Sequence, residues 1–283
     1  MSTERARLTR LDSGVRVVTE AMPSVRSIAL GFWIRIGSRD EGHEQAGISH
    51  FLEHLLFKGT ERFSSREIDE QFDAMGAEVN AGTSKETTSV YSRFLDGHLE
   101  RAFDVLQDMV LRPAYPEVDS ERQVVIEEIA MYEDEPQDKV HDVLAGAIFG
   151  DHPLGRPIIG RADVIASVPV PQIAVWHDGR YVPGNIVVAA AGNLDHERIV
   201  ELVELAFGDA VSSPVPFSTP AATPPARERV RRTPGMRPPP GRRSHHGRGS
   251  QPPRRPCCRA RSARRARPRS AARPPRRPPR PGR

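Results

Sequence analysis

The stretch that decides the fold reads AGISHFLEHLLFKGT and occupies residues 46–60. Two histidines and a glutamate, His50, His54 and Glu53, interrupt a run that is otherwise largely apolar as far as Phe57. In an α-helix, side chains four positions apart lie on one face, so His50 and His54 point the same way and Glu53 lies at the edge of that face. Two imidazoles one turn apart can bind one divalent cation, for which Zn²⁺ is the usual choice. The order H-x-x-E-H therefore predicts a zinc site with a carboxylate beside it, and a buried structural histidine pair is the alternative.

A second segment, residues 117–135, offers the third protein ligand that catalytic zinc needs. Apolar residues recur in it at helical spacing, at Val118, Val125, Ile129 and Tyr132. Glu121 and Glu128 are two turns apart and share a face, whereas Glu127 lies about 100° around the helix from Glu128. Such a helix can present Glu128 to the metal and Glu121 to one of the histidines. A solvated acidic helix face is the alternative.

Two further motifs accompany the histidine motif. In chain order, the three are GISHFLEHLLFKGT (47–60), MGAEVNAGTSKETTSVYSRFL (75–95) and ERQVVIEEIAMYEDEP (121–136). Together they resemble the M16 family of zinc metallopeptidases, which includes insulinase, pitrilysin and the mitochondrial processing peptidases. The similarity runs from about residue 8 to about residue 210, and the chain looks most like the bacterial processing-peptidase-like branch.

The resemblance implies a role for each residue of the motifs. It implies one zinc ion per chain, bound by His50, His54 and Glu128, with Glu53 as the general base. It also implies that Glu121 supports the site from two turns before the ligand glutamate.

The middle motif carries the implied substrate contact. Asn80 and Ala81 correspond to family residues on an edge strand, where an extended peptide substrate pairs with the sheet. The implied activity is zinc-dependent hydrolysis of peptide bonds in unfolded or extended peptides. A non-catalytic or inactive relative that serves as a subunit or scaffold is the alternative, because family members enclose the substrate between two halves. A second M16 half or a homologous chain is the corresponding candidate partner.

The rest of the chain predicts an α+β fold, a mixed sheet packed by helices. Strands are indicated over residues 14–22, 27–38, 77–84, 87–95 and 185–194, and helices over 66–76, 98–113 and 195–208. Ser64 and Glu67 form a capping box, and Gly76 marks the end of the helix that follows. We expect a catalytic domain over residues 8–165, the start of a second related domain over 168–210, and a disordered tail over 211–283.

The tail differs sharply in composition from the body. Residues 230–283 contain nineteen arginines and no lysine, aspartate or glutamate. Without them, the remaining 22 basic and 37 acidic residues give a net charge of −15, against +4 for the whole chain. The basic character therefore belongs to the tail, and we expect no specific nucleic-acid partner for the body.

Three explanations compete for this tail: a basic arm that binds polyanions, a Pro-rich linker, or a truncated or frameshifted gene product. The third is favoured because the tail uses almost only residues with GC-rich codons. The two cysteines, Cys257 and Cys258, lie in this tail and lack the spacing of a metal site.

The sequence also bears on location. The first fourteen residues, MSTERARLTRLDSG, lack the apolar core of a signal peptide, and no stretch reaches the length of a membrane span. These observations predict a cytoplasmic protein without a membrane partner. Five further histidines have no motif around them and are expected to be surface or structural residues: His98, His141, His152, His177 and His196.

Overall fold

The computed structural model describes residues 6–208, together with residues 210 and 212. Six strands in this part of the chain form one mixed sheet, in the order β1-β2-β6-β3-β5-β4. They are β1 (Ala6–Arg10), β2 (Arg16–Ala21), β3 (Ser27–Ile34), β4 (Glu78–Thr83), β5 (Thr88–Leu95) and β6 (Ile186–Gly192). Neighbouring strands are antiparallel except β2 and β6, which are parallel. The predictions for residues 211–283 fall outside the described residues, except at Ser212.

Helices separate and follow these strands. They are α1 (Ile48–Leu55), α2 (Ser65–Met75), α3 (Leu99–Leu111), α4 (Val118–Asp134), α5 (Pro136–Phe149), α6 (Ala162–Ser167), α7 (Val170–Asp178) and α8 (His196–Phe207). The predicted α+β class, with a mixed sheet packed by helices, is confirmed.

The ends of α2 form as the sequence predicts. The Ser64 hydroxyl accepts a hydrogen bond from the backbone N–H of Glu67 at 3.3 Å, and the Glu67 carboxylate accepts one from the N–H of Ser64 at 2.8 Å. The helix ends at Gly76, whose φ of 58° is a left-handed conformation that glycine adopts without steric cost. This helix leads directly into β4, so its two ends help to fix where that strand begins.

The core lies on one face of the sheet. Alternate residues of β3 (Ile28, Leu30, Phe32 and Ile34) are fully or almost fully buried against the helices. On the opposite face, Trp33 and Tyr91 are each 38% exposed, since no helix of the described residues covers them. The helices that carry the predicted metal ligands therefore lie on the packed face.

The segment 168–210, expected as the start of a second domain, contributes β6 and α8 to this same sheet and core. Strand β6 lies between β2 and β3, and its alternate residues Ile186, Val188 and Ala190 are buried. Ile199 and Val203 of α8 are also fully buried. Residues from both sides of the expected boundary thus build one layer.

Candidate metal centre and its supporting residues

Helix α1 has an apolar face and a polar face. Ile48, Phe51, Leu52 and Leu55 are fully buried, which fixes the orientation of this short helix. The polar side chains His50, Glu53 and His54 lie on the partly buried remainder. The hydrophobic residues of the motif therefore aim its three ionisable groups toward one place.

Helix α4 lies against α1 and presents its acidic face to it. Val125 is fully buried and Ile129 nearly so, which leaves Glu121 and Glu128 facing the histidines. Arg122 ties the two helices together: its guanidinium lies 5.5 Å from the centre of the Phe51 ring and donates to the backbone carbonyls of Ile165 and Val168. The position of α4 is thus set by contacts on the side away from the acidic face.

Three donor atoms meet between these helices. Nε2 of His50 lies 3.8 Å from Oε1 of Glu128, and Nε2 of His54 lies 3.5 Å from Oε2 of the same carboxylate. Among the residues that the structure describes, these three are the one set of potential ligands whose donor atoms all lie within 4.8 Å of one another. Two imidazoles and one carboxylate are a donor set typical of catalytic zinc, and the group fits that ion.

Glu121 holds the His54 ring. Nδ1 of His54 donates to Oε1 of Glu121 at 2.8 Å, which leaves Nε2 facing Glu128. The other oxygen of Glu121 pairs with the Lys58 ammonium at 2.8 Å, and the Glu121 side chain is almost completely buried. Lys58 lies four residues after His54, but its pairing with Glu121 was not predicted, because the two residues are 63 positions apart and spacing carries no signal over that distance.

His50 is held differently from His54. No hydrogen-bond partner for its Nδ1 exists among the described protein residues. Burial, together with the neighbouring His54, lowers the pKa of His50 to about 4. The ring is therefore neutral near pH 7, which is the form of imidazole that binds a metal.

Glu53 is held by the edge strand β4. The hydroxyl of Thr83, the last residue of β4, donates to Oε2 of Glu53. Burial raises the pKa of Glu53, and the Thr83 hydrogen bond opposes that rise. Thr83 is a second residue that the sequence did not single out, because the thirty-residue separation gives no periodic signal.

Two predicted substrate residues lie on the same strand. Asn80 is exposed and lies three residues before Thr83, and Ala81 is half-buried and lies two residues before it. Strand β4 is at the edge of the sheet and pairs through one side, with β5. Among the described residues, its other side has no strand partner.

A cavity of about 400 Å³ lies next to the donor atoms. Its lining includes the ligand candidates His50 and Glu128, Thr83 of β4, and side chains of α4 and α5 such as Tyr132 and Asp142. Glu127, the neighbour of Glu128, is exposed and lies outside this cavity. The space is large enough for a peptide side chain beside the donor group.

Comparison with known families decides the relationship. The family model for insulinase, peptidase family M16, matches residues 16–162, which is more than half of the chain and includes every candidate site residue. The chain belongs to peptidase family M16. A second M16 model, described as the inactive domain, matches residues 167–243. The two models divide this M16 chain between residues 162 and 167, whereas its sheet runs across that division.

Individual M16 proteins show the same relationship. An uncharacterized zinc protease of Mycobacterium leprae is 48% identical over 202 residues, which are 71% of this chain and 45% of the relative. The probable mitochondrial-processing peptidase subunit beta of Arabidopsis thaliana is 36% identical over 228 residues, 80% of this chain and 43% of the relative. A protease from Helicobacter pylori of known structure superposes with a TM-score of 0.71 at 25% identity, over 78% of this chain and 54% of that one. The chain spans about half the length of the curated relatives it matches.

The bacterial relatives from Mycobacterium leprae and Bacillus subtilis are both named zinc proteases. In the part that the structure describes, no helix has the length and apolar character needed to cross a membrane. The predicted compartment is untested by the structure and stays a prediction.

Proposed function

We propose that this chain is a zinc-dependent metalloendopeptidase that hydrolyses extended peptides, with one zinc ion held by His50, His54 and Glu128. The observation that carries the proposal is the meeting of these three donors beside Glu53, whose carboxylate is anchored to an edge strand. A bound zinc ion supplies Lewis acidity, which makes water a nucleophile near neutral pH and polarises a peptide carbonyl.

The role of Glu53 follows from where it lies. Its carboxylate is close enough to His54 and Glu128 to interact with their charges, yet it is not one of the three residues whose donor atoms meet. Its raised pKa suits a group that accepts a proton from the attacking water and passes it to the leaving amine. Thr83 fixes one carboxylate oxygen and leaves the other for this transfer.

Substrate binding follows from the free side of β4. An extended peptide can pair with this strand near Asn80 and Ala81, so that backbone hydrogen bonds hold it and the adjacent cavity receives a side chain. Because Thr83 is on the same strand, the bound peptide passes beside Glu53. In this proposal, the peptide is therefore bound next to the place where it is hydrolysed.

A second candidate function is a non-catalytic subunit. It is favoured by the match of residues 167–243 to the inactive-domain model and by the length of the relatives, about twice the matched span. In that case this chain supplies a zinc-binding fold, and a second M16 half or a homologous chain completes the enzyme. The two candidates differ in whether the chain alone turns over a peptide.

The substitution Glu53→Gln tests the proposal. We expect the variant to retain one zinc per chain, measured by elemental analysis, and to lose about 10²–10⁴-fold in cleavage of an internally quenched unstructured peptide. Glu44→Gln, an exposed carboxylate nearby in the chain, is the matched control and should leave both quantities unchanged. Loss of zinc from Glu53→Gln would make Glu53 a ligand. A zinc-loaded wild-type chain that cleaves no faster than Glu53→Gln would favour the non-catalytic subunit.

A further inference from the structure

The first turn of α1 depends on a group outside the helix. Its N-cap residue is Gly47, which has a φ of 99° and no side chain with which to cap the helix. A Cβ at this position would lie 2.8 Å from the carbonyl oxygen of Ile159, so the usual capping residues cannot replace the glycine. The buried N–H groups of this turn therefore need an acceptor from elsewhere.

Glu41 supplies that acceptor. Its carboxylate accepts the backbone N–H of Gly47 at 2.7 Å with one oxygen and that of Ser49 at 2.8 Å with the other. Only 4% of the residue is exposed. Its own backbone carbonyl accepts from the guanidinium of Arg156 at 2.8 Å, which anchors the segment that carries it. Burial raises the pKa of Glu41 to about 7, and the hydrogen bonds from Gly47 and Ser49 oppose that rise; when ionised, the carboxylate also interacts favourably with the helix dipole.

The two histidines of the helix differ in how much they need this support. His54 lies in the second turn, and Glu121 fixes its ring. His50 follows Ser49 directly and has no partner for Nδ1 among the described protein residues. The His50 ring packs against the His54 ring, with centroids 4.7 Å apart, but no hydrogen bond at Nδ1 fixes it, so its position depends more on the backbone of the first turn than that of His54 does.

We propose that Glu41 is a positioning residue for the metal centre, which holds His50 in place by capping the first turn of α1. The inference rests on the proposed function, because it assumes that His50 is a zinc ligand. It adds a residue that lies outside the H-x-x-E-H motif and touches none of the donor atoms.

The variant Glu41→Gln tests this role in the full chain. The amide has nearly the same shape, but its NH₂ group must face one of the two backbone N–H donors. We expect zinc affinity, measured by competition with a chelating dye, to fall about 10-fold, the lower end of the range for partners of metal ligands. The absorption spectrum of the cobalt-substituted protein should change as well, since it reports the coordination of the metal.

Asp40→Asn is the matched control. Asp40 is the neighbouring buried carboxylate, and it accepts the backbone N–H of Gly37 at 3.1 Å, which is not part of α1. We expect both Glu41→Gln and Asp40→Asn to lower the folding stability. Asp40→Asn, however, should keep the zinc affinity and the cobalt spectrum of the wild type. Equal losses of zinc affinity in both variants would overturn the proposal, because they would show a general effect of destabilisation.

Combination with ligand variants sharpens the assignment. Glu41→Gln should lower metal affinity further in a His54→Ala background, and it should have no added effect in a His50→Ala background. An added effect in both backgrounds would contradict the link to His50. If Glu41→Gln does not fold, Glu41→Asp, which keeps the charge on a shorter side chain, should show a smaller loss of the same kind. Failure of the wild-type chain to bind zinc would instead overturn the proposed function.

Discussion

His54 on α1 and His196 at the start of α8 are both held by hydrogen bonds at the packed face of the sheet, but the two rings are used differently. His196 lies near β1 and β2, where Nε2 contacts the hydroxyl of Thr9 at 2.8 Å and Nδ1 that of Thr19 at 2.7 Å. His54 lies near the β4 edge, where Glu121 holds Nδ1 and Nε2 faces Glu128. With both nitrogens engaged, His196 links strands to a helix. With one nitrogen free, His54 can bind a metal.

The largest expected effect comes from removing the carboxylate that the free nitrogens face. Glu128→Gln should weaken zinc binding by more than the roughly 10–100-fold that the loss of a ligand's partner costs. The matched control is Glu127→Gln, an exposed neighbour on the same helix that should bind zinc as the wild type does. Titration with zinc in the presence of a competing chelator measures both. If the control lost zinc and Glu128→Gln kept it, the choice between the adjacent glutamates would be wrong.

A smaller effect is expected from the group that holds His54. Glu121→Gln keeps the size of the side chain but removes the charge between Lys58 and the histidine, so zinc affinity should fall by about 10–100-fold. Lys58→Gln should cause a smaller loss, because it acts on the metal only through Glu121. Lys139→Gln removes a lysine that pairs with Glu133 at the surface and serves as control. A larger loss from Lys58→Gln than from Glu121→Gln would contradict this order.

We expect the His196 ring to make the folding stability of the chain depend on pH. Burial lowers the pKa of His196, so the folded chain favours its neutral ring. The stability that this ring contributes is complete above pH 6.5, its ordinary pKa, and is lost as the pH falls through the lower folded value. In the zinc-free protein, His196→Asn should flatten the fall of the unfolding free energy below pH 6.5. His50 also contributes to the change of the unfolding free energy with pH. Its contribution is the same in the variant and the wild type, so it cancels when the two are compared by denaturant titration.

The smallest effect is expected on the outer face of the same helix. Leu205 of α8 is 77% exposed, so Leu205→Ala should change the unfolding free energy by no more than about 0.5 kcal/mol and leave its pH dependence as in the wild type. A clear destabilisation by this substitution would mean that the outer face of α8 packs against another part of the protein. The pH dependence of the unfolding free energy that we assign to His196 would then need a second explanation. Thermal and denaturant unfolding of the same samples provide the test.

Much of the candidate metal centre could be predicted from the sequence, because the spacing of its residues is a local property of two helices. The i, i+4 spacing of His50 and His54 already specified a shared face, and the apolar stripe of α4 already set Glu121 and Glu128 on one side. The capping box at Ser64 is equally local. Each of these features is contained within a few helical turns, where periodicity is informative.

The supporting contacts could not be found in the same way. Thr83 reaches Glu53, and Lys58 reaches Glu121, across thirty and 63 residues of chain, and periodicity gives no distance between separate elements. Glu41 is close to the motif in sequence, but its capping role depends on the backbone conformation of Gly47. The run that forms β6 was recognised as a strand, whereas its place between β2 and β3 depends on pairing with strands more than 150 residues earlier.

The central place of β6 has a consequence for the order in which the chain folds during synthesis. All the candidate ligands have been made once residue 128 is added, but the strand that joins β2 to β3 ends at Gly192. At 5–20 residues per second, the ribosome needs roughly 3 to 13 s to cover that interval. During this time β1 and β2 have no partner that connects them to β3, β4 and β5, and the open edges of β2 and β3 are exposed to other chains. Pairing across such a sequence separation is intrinsically slow, so we expect the nascent chain to be prone to aggregation until β6 has been made.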